Sequence, residues 1–284
     1  MMKKLSVILL IMFSMIVAIM ITGDKGINTA KMQGYKALKV FVQIKDEQIV
    51  TSDFMEYETE HFTIKYRPED ENVIRDTAKM FEESYGTAAE EFGYVSEEKT
   101  VVVIYKDQNE FWSYQKAIQG QAVMGLYNMG TIHVLSPNAY KNEEQSSMAY
   151  FKKNGPVLHE YTHKIVDELT GGNIELWLTE GLALYEEYRV NDTEWASGYE
   201  YERYFNSREI REGFMVADEV QSYRQSFDMT KYLIDNYGMD KMQMLMEELK
   251  AGSSTDHAFL KVYGVTADEF IDSEIYAKPE TYED

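Results

Sequence analysis

Polar and apolar residues alternate along His61-Phe62-Thr63-Ile64-Lys65-Tyr66, the two-residue period of a strand whose apolar face carries Phe62, Ile64 and Tyr66. The period then lengthens. Ile74, Ala78, Phe81, Tyr85, Ala88 and Phe92 recur at helical spacing ahead of Gly93, which predicts a long amphipathic helix closed by a glycine cap. Val101 to Tyr105 is an unbroken apolar run of strand length, the pattern of a strand covered on both faces. Asp107 stands where it would cap a helix containing Phe111 and Trp112. Ala122 to Tyr127 and Thr131 to Leu135 flank Asn128-Met129-Gly130, which reads as a hairpin.

Beyond the hairpin the pattern is helical. Pro156 is placed for a first turn, with Asn154 or Gly155 as cap, so a helix is expected to run to Leu169 before Gly171-Gly172. A second helix passes through Trp177, Glu180, Leu184 and Tyr188, and Arg203 to Asp284 reads as helices, with stripes at Met229, Tyr232, Leu233 and Tyr237 and at Met242, Leu245 and Leu249. The expected fold is α+β, an N-terminal mixed sheet with helices followed by a mostly helical C-terminal lobe. The hairpin would leave an edge to which an extended peptide can pair.

Residues 57–284 form the expected catalytic domain. Residues 23–56 are mixed and polar apart from Ala37 to Val42 and read as a linker with one short element. Residues 1–22 combine Lys3-Lys4 with the apolar run Leu5 to Ile21, a signal peptide or transmembrane anchor. No small-residue cleavage pattern follows Ala18, which favours the uncleaved anchor. Lys3 and Lys4 would then stay cytoplasmic and the catalytic part would lie outside the cytoplasm, or be secreted if the segment is cleaved.

A net charge of −21 and a pI near 4.7 exclude a nucleic-acid partner, because a polyanion would be repelled. The chain has no cysteine, which removes disulfides, lipoprotein attachment and a thiolate-closed metal site.

His159-Glu160-Tyr161-Thr162-His163 carries the chemistry. On a helix the two histidines sit at i and i+4 on one face, so both imidazoles reach one metal while Glu160, rotated beside them, holds a water. Glu180 on the following apolar helix completes a His/His/Glu set, the kind that leaves catalytic zinc one open position. Lys164, Asp167 and Glu168 make the motif helix too polar for a lipid-buried protease. The single histidines His61, His133 and His257 read as packed or surface residues.

Taken with the Glu60-His61-Phe62 strand, Val101 to Tyr105, the Gly125-Leu126-Tyr127 to Pro137 hairpin, Trp177-Leu178-Thr179-Glu180-Gly181-Leu182-Ala183 and Tyr223-Arg224-Gln225-Ser226, the motif resembles the peptidase MA-like family of gluzincin metalloproteases over most of residues 57–275. The resemblance implies a thermolysin-like zincin fold, Zn2+ bound by His159, His163 and Glu180, Glu160 as catalytic base, and a peptide or protein substrate. Tyr223 is the candidate donor to the anion that forms during attack on the peptide carbonyl. One position departs. Many such enzymes place an acid one turn after the third ligand to orient a histidine; here Leu184 stands there, leaving Asp167, Glu186 or a backbone oxygen for that role. Two other readings stand beside hydrolysis of general peptides: an enzyme for cell-wall peptides, and a membrane-tethered binding or regulatory module with a non-catalytic zinc site.

Overall fold

The computed structural model describes residues 25–45, 51–96, 98–115, 119–120, 123–140, 147–192 and 194–277. Five strands form one mixed sheet: β1 (Met55–Glu58), β2 (Phe62–Tyr66), β3 (Thr100–Tyr105), β4 (Gly125–Asn128) and β5 (Thr131–Leu135), in the order β1-β2-β3-β5-β4. The inner strands β2, β3 and β5 run parallel, and β1 and β4 close the two edges antiparallel. Every residue of β3 is buried, as its uninterrupted apolar sequence requires of a central strand. β1 goes beyond the sequence expectation. Its residues Met-Glu-Tyr-Glu are mostly exposed, so pairing with β2, rather than an apolar face, makes it a strand. The hairpin turn is the two residues Met129 and Gly130, both at positive φ (45° and 97°), and Asn128 belongs to β4. That shortens the expected three-residue joint to the two-residue kind that suits strand twist.

A long helix, α2 (Ile74–Phe92), ends at Gly93 in the left-handed region, and α3 (Gln108–Tyr114) starts where the Asp107 carboxylate accepts the Glu110 N–H at 2.9 Å. α4 (Ser147–Asn154) precedes α5 (Val157–Thr170), which carries the paired histidines. Tyr161 of α5 lies edge-on to Phe62 of β2 at 5.4 Å and tilted against Tyr85 of α2 at 6.0 Å, while Phe62 meets Phe81 at 5.3 Å. Such aromatic pairs add ~0.5–1.5 kcal/mol each beyond the area they bury. They fix the motif helix against the sheet.

Residues 25–45, read from sequence as linker, are helical and are termed α1. Near its C-terminal end, Lys39 donates to the Tyr127 hydroxyl at 3.3 Å, and the Gln43 side chain occupies the space a side chain at Gly130 would need. Toward its N-terminal end, the Tyr35 hydroxyl donates to Asp167 at 2.7 Å. Among the described residues no helix is long and apolar enough to cross a membrane; the apolar run Leu5 to Ile21 lies outside them.

The described chain divides into two compact units. One holds the sheet and comprises residues 38–166 and Thr179–Gly198. The other is helical and comprises residues 25–37, Asp167–Leu178 and 199–277. α6 (Leu176–Asn191) begins in the helical unit, which also contains α7 (Ser207–Glu212), α8 (Glu219–Tyr237), α9 (Met239–Lys250), α10 (Thr255–Tyr263) and α11 (Ala267–Asp272). In that unit the fully buried Trp177 packs on Phe259 at 6.0 Å, and the Asn173 amide donates to the Leu249 and Ser253 carbonyls at 2.7 and 2.9 Å. The Arg211 guanidinium is enclosed by the carboxylates of Glu175, Asp256 and Asp268.

His133 on β5 is fully buried with Nδ1 2.9 Å from the Tyr105 hydroxyl, and burial pushes its pKa down to about 3. The folded state therefore holds it neutral, while the unfolded chain binds a proton below ~6.5. Its contribution is complete above that pH and is lost as pH falls toward the folded value. Urea titrations of His133→Gln and wild type at pH 7 and pH 4.5 test this. The wild type is expected to lose about 2–3 kcal/mol more than the variant over that interval, and equal losses would show that His133 titrates normally.

Candidate metal centre

The chemistry begins with spacing on α5. His159 and His163, one turn apart, bring their ring centroids to 4.8 Å with the rings edge to face. Each turns Nε2 toward the same oxygen, Glu180 Oε2 on α6, at 3.3 Å from His159 and 3.4 Å from His163. The nearest ligand atoms of the three residues all lie within 4.8 Å of one another, a cluster able to hold a metal ion. The expected triad therefore converges.

The other ring nitrogens are also occupied. His159 Nδ1 lies 3.3 Å from Glu187 Oε2, and His163 Nδ1 lies 2.8 Å from Thr179 Oγ1. With both Nδ1 atoms protonated, each ring donates to its oxygen partner and leaves an Nε2 lone pair for a cation. Neither Asp167 nor Glu186, the side chains expected in this role, partners a ring Nδ1. Asp167 accepts from Tyr35, and Glu186, fully buried, is held by Arg189 at 2.7 Å. Glu187 replaces them for a geometric reason: it lies two helical turns after Glu180 and so shares its face of α6. One turn past the third ligand the sequence offers only Leu184, so the acid lies a full turn farther on than in many related enzymes. Thr179 is adjacent to the ligand in sequence but carries no motif signal.

Glu160 is 6% exposed, and its Oε2 accepts the Tyr127 N–H at 2.6 Å. Leu135 N–H bonds to the Met124 carbonyl, so by antiparallel alternation Tyr127 turns its N–H away from β5, toward Glu160. Gly125 in the same strand must lack a side chain: a Cβ there would stand 2.7 Å from both Glu160 Oε1 and the Pro156 ring. The edge strand and the motif helix thus clamp the candidate base between them.

Electrostatics sharpen the picture. Burial by itself would lower the His159 pKa, but the Glu187 charge and hydrogen bonds to Glu180 and Glu187 outweigh it and raise it well above the usual range. Burial would raise the Glu180 pKa, yet the charge of His163 and hydrogen bonds from both imidazoles hold it far below the ordinary carboxylate value. For Glu160 burial prevails over the neighbouring histidines, and the pKa rises. The site demands positive charge, supplied either by protons on the imidazoles or by a cation at their Nε2 atoms.

The donor set fits zinc. Bonds of about 2.0–2.2 Å in a tetrahedron require ligand atoms about 3.3–3.5 Å apart, and the His159 and His163 separations from Glu180 are 3.3 and 3.4 Å. Two imidazoles and a carboxylate, with no fourth ligand joining the cluster among the described residues, are the kind of set that leaves a position open in catalytic sites.

The remaining candidates fall elsewhere. His61 pairs with Glu82 at 2.6 Å and stacks on Tyr85, His133 is core, and the His257 N–H is capped by Ser254 on α10. Tyr223 is half-buried on α8 in the helical unit, edge-on to Phe214 at 5.3 Å.

A family model described as Peptidase MA superfamily matches residues 143–273. The matched stretch contains His159, Glu160, His163, Glu180, Glu187 and Tyr223 and leaves the sheet outside it. No curated protein matches the chain.

Because Glu187 sets the orientation of His159, Glu187→Gln is expected to weaken zinc binding ~10–100-fold, measured by competition with a chromogenic chelator. An unchanged affinity would remove Glu187 from the site.

Proposed function

We propose that this chain, a peptidase MA-like protein over residues 143–273, is a zinc-dependent peptidase acting outside the cytoplasm. The observation that carries the reading is the convergence of both Nε2 atoms on Glu180 at 3.3 and 3.4 Å, with Glu160 held alongside by the Tyr127 N–H. When bound, zinc supplies a Lewis acid that polarises a carbonyl and makes water acidic near neutral pH.

The protein's own groups supply the rest. His159, His163 and Glu180 hold the ion, while Glu187 and Thr179 orient the rings. Glu160 takes a proton from the attacking water and delivers it to the departing amine. Burial brings its pKa upward, toward the range in which a carboxylate both accepts and returns a proton. The Tyr127 N–H keeps Oε2 in place, so the proton transfer is the part of Oε1. β4, at the edge of the sheet, is the strand along which an extended peptide would lie, beside the Tyr127 N–H that holds Glu160. Tyr223 is assigned the stabilisation of the anion formed on the attacked carbonyl. The apolar run Leu5 to Ile21 behind Lys3 and Lys4 anchors the chain with its catalytic part on the outer face of the membrane.

Glu160→Gln is expected to keep one equivalent of zinc by metal analysis while hydrolysis of a mixed peptide substrate falls ~10^2–10^4-fold. Undiminished turnover in that variant would sink the base assignment, and stoichiometric zinc with no cleavage by the wild type would favour a binding module. Tyr223→Phe tests the last residue separately. Its kcat is expected to fall ~10^2–10^3-fold with little change in KM, and a full kcat would return Tyr223 to the packing of α8.

A further inference from the structure

The chain carries 49 acidic residues against 28 lysines and arginines, yet residues 25–45 hold five lysines, Lys25, Lys31, Lys36, Lys39 and Lys45, and no Asp or Glu. These are the residues of α1. One face of the helix is used by the protein: Met32 is buried, Tyr35 binds Asp167 and Lys39 binds Tyr127. The opposite face is apolar and bare. Leu38 is 47% exposed, Phe41 66% and Ile44 47%, with Val40 at 55% beside them. At 100° per residue, Phe41 lies diametrically opposite Met32 in projection, with Ala30, Gly34, Ala37, Leu38 and Ile44 around it. Lys31, about 80° from Phe41 in the same projection, borders this arc and Lys45 lies within it, both exposed.

We infer that the outward face of α1 lies on an anionic phospholipid surface, with Leu38, Phe41 and Ile44 entering the boundary between headgroups and acyl chains and Lys31 and Lys45 meeting phosphate. Two observations select this occupant. A helix with an apolar arc bordered by lysine, low in overall hydrophobicity, is a form that lies in a membrane interface. Its basic charge, isolated within an acidic chain, complements anionic lipid and draws it to the surface within a Debye length. In addition, the segment just ahead of α1 is the apolar run Leu5 to Ile21, long enough to enter a bilayer and to deliver α1 to its surface. The acidic remainder is repelled by the same lipids, so α1 is both the attachment and the spacer. This contact is separate from the zinc site and does not depend on the peptidase reading.

The absence of cysteine makes the test direct. Leu38→Cys, Phe41→Cys and Ile44→Cys are each labelled with an environment-sensitive fluorophore in the full chain. Each is reconstituted into nanodiscs of phosphatidylglycerol or of phosphatidylcholine alone, with doxyl-labelled lipid as quencher. Glu83→Cys on α2 serves as the exposed control, and Ser14→Cys reports insertion of the apolar run independently. The expected result is a blue shift and lipid quenching at all three α1 positions in phosphatidylglycerol, none at Glu83, and loss of most of that quenching in phosphatidylcholine or on adding Lys31→Glu and Lys45→Glu. No quenching in either lipid overturns the proposal, whichever way Ser14 reads. So does quenching indifferent to lipid charge. Shielding that rises with the number of chains per disc, rather than with phosphatidylglycerol, overturns it in favour of a second copy of the chain.

Discussion

Three carboxylates, Glu160, Glu180 and Glu187, crowd two imidazoles in a largely buried space, and the arrangement of α5, α6 and β4 depends on how that charge is balanced. Protonating both rings supplies at most two positive charges against three negative ones. Leaving a buried charge unpaired costs several kcal/mol, so the site either raises a carboxylate pKa or takes up a cation. Glu160 shifts upward while Glu180 is held ionised, and the two Nε2 atoms converge on Glu180 at 3.3 and 3.4 Å, separations that fit a bound zinc ion. A divalent ion in that position relieves the imbalance that otherwise falls on His159 and His163.

The sheet contributes stiffness and one donor. Aromatic contacts from Phe62, Tyr85 and Phe81 to Tyr161 and to one another fix α5, and the histidines flank Tyr161 in sequence, so packing on one face sets ligand positions on the other. The donor comes from strand alternation. Because Leu126 faces β5 with its hydrogen-bonding groups, Tyr127 faces outward, and its N–H holds Glu160 while Gly125 leaves room for the carboxylate. A one-residue slip of β4 would reverse all three relations at once. Hence the hairpin turn at Met129-Gly130, remote from the reacting atoms, controls the candidate base.

Charge is also segregated along the chain. Acidic residues outnumber basic ones 49 to 28 over the chain, whereas α1 concentrates lysine beside exposed apolar residues. α1 is tied to Asp167 through Tyr35 and to Tyr127 through Lys39, so its inward face is a structural element rather than a free tether. This explains why a segment with only one apolar knot is helical: its inward stripe, the buried Met32 and the half-buried Tyr35, Lys39 and Gln43, contains polar residues that find partners only in the folded protein.

Local pattern alone determined much of this protein. The period of its apolar residues specified α2, β3, β5, α5 and α6, because those elements bury a continuous face and the period reports that face directly. The pairing of His159 with His163 followed from helical spacing, and the approach of Glu180 to both was expected from ligand chemistry. Tertiary structure decided what depends on residues far apart in sequence meeting in space. Glu187, not Asp167 or Glu186, partners His159, because the packing of α6 against α5 selects among acids that sequence position leaves equivalent. The Tyr127 N–H and the missing Gly125 side chain shape the base through register, which leaves no mark in composition. β1 and α1 exist through contacts that their own residues do not announce: a backbone group or a half-polar stripe gains its stabilisation only when its partner is already in place.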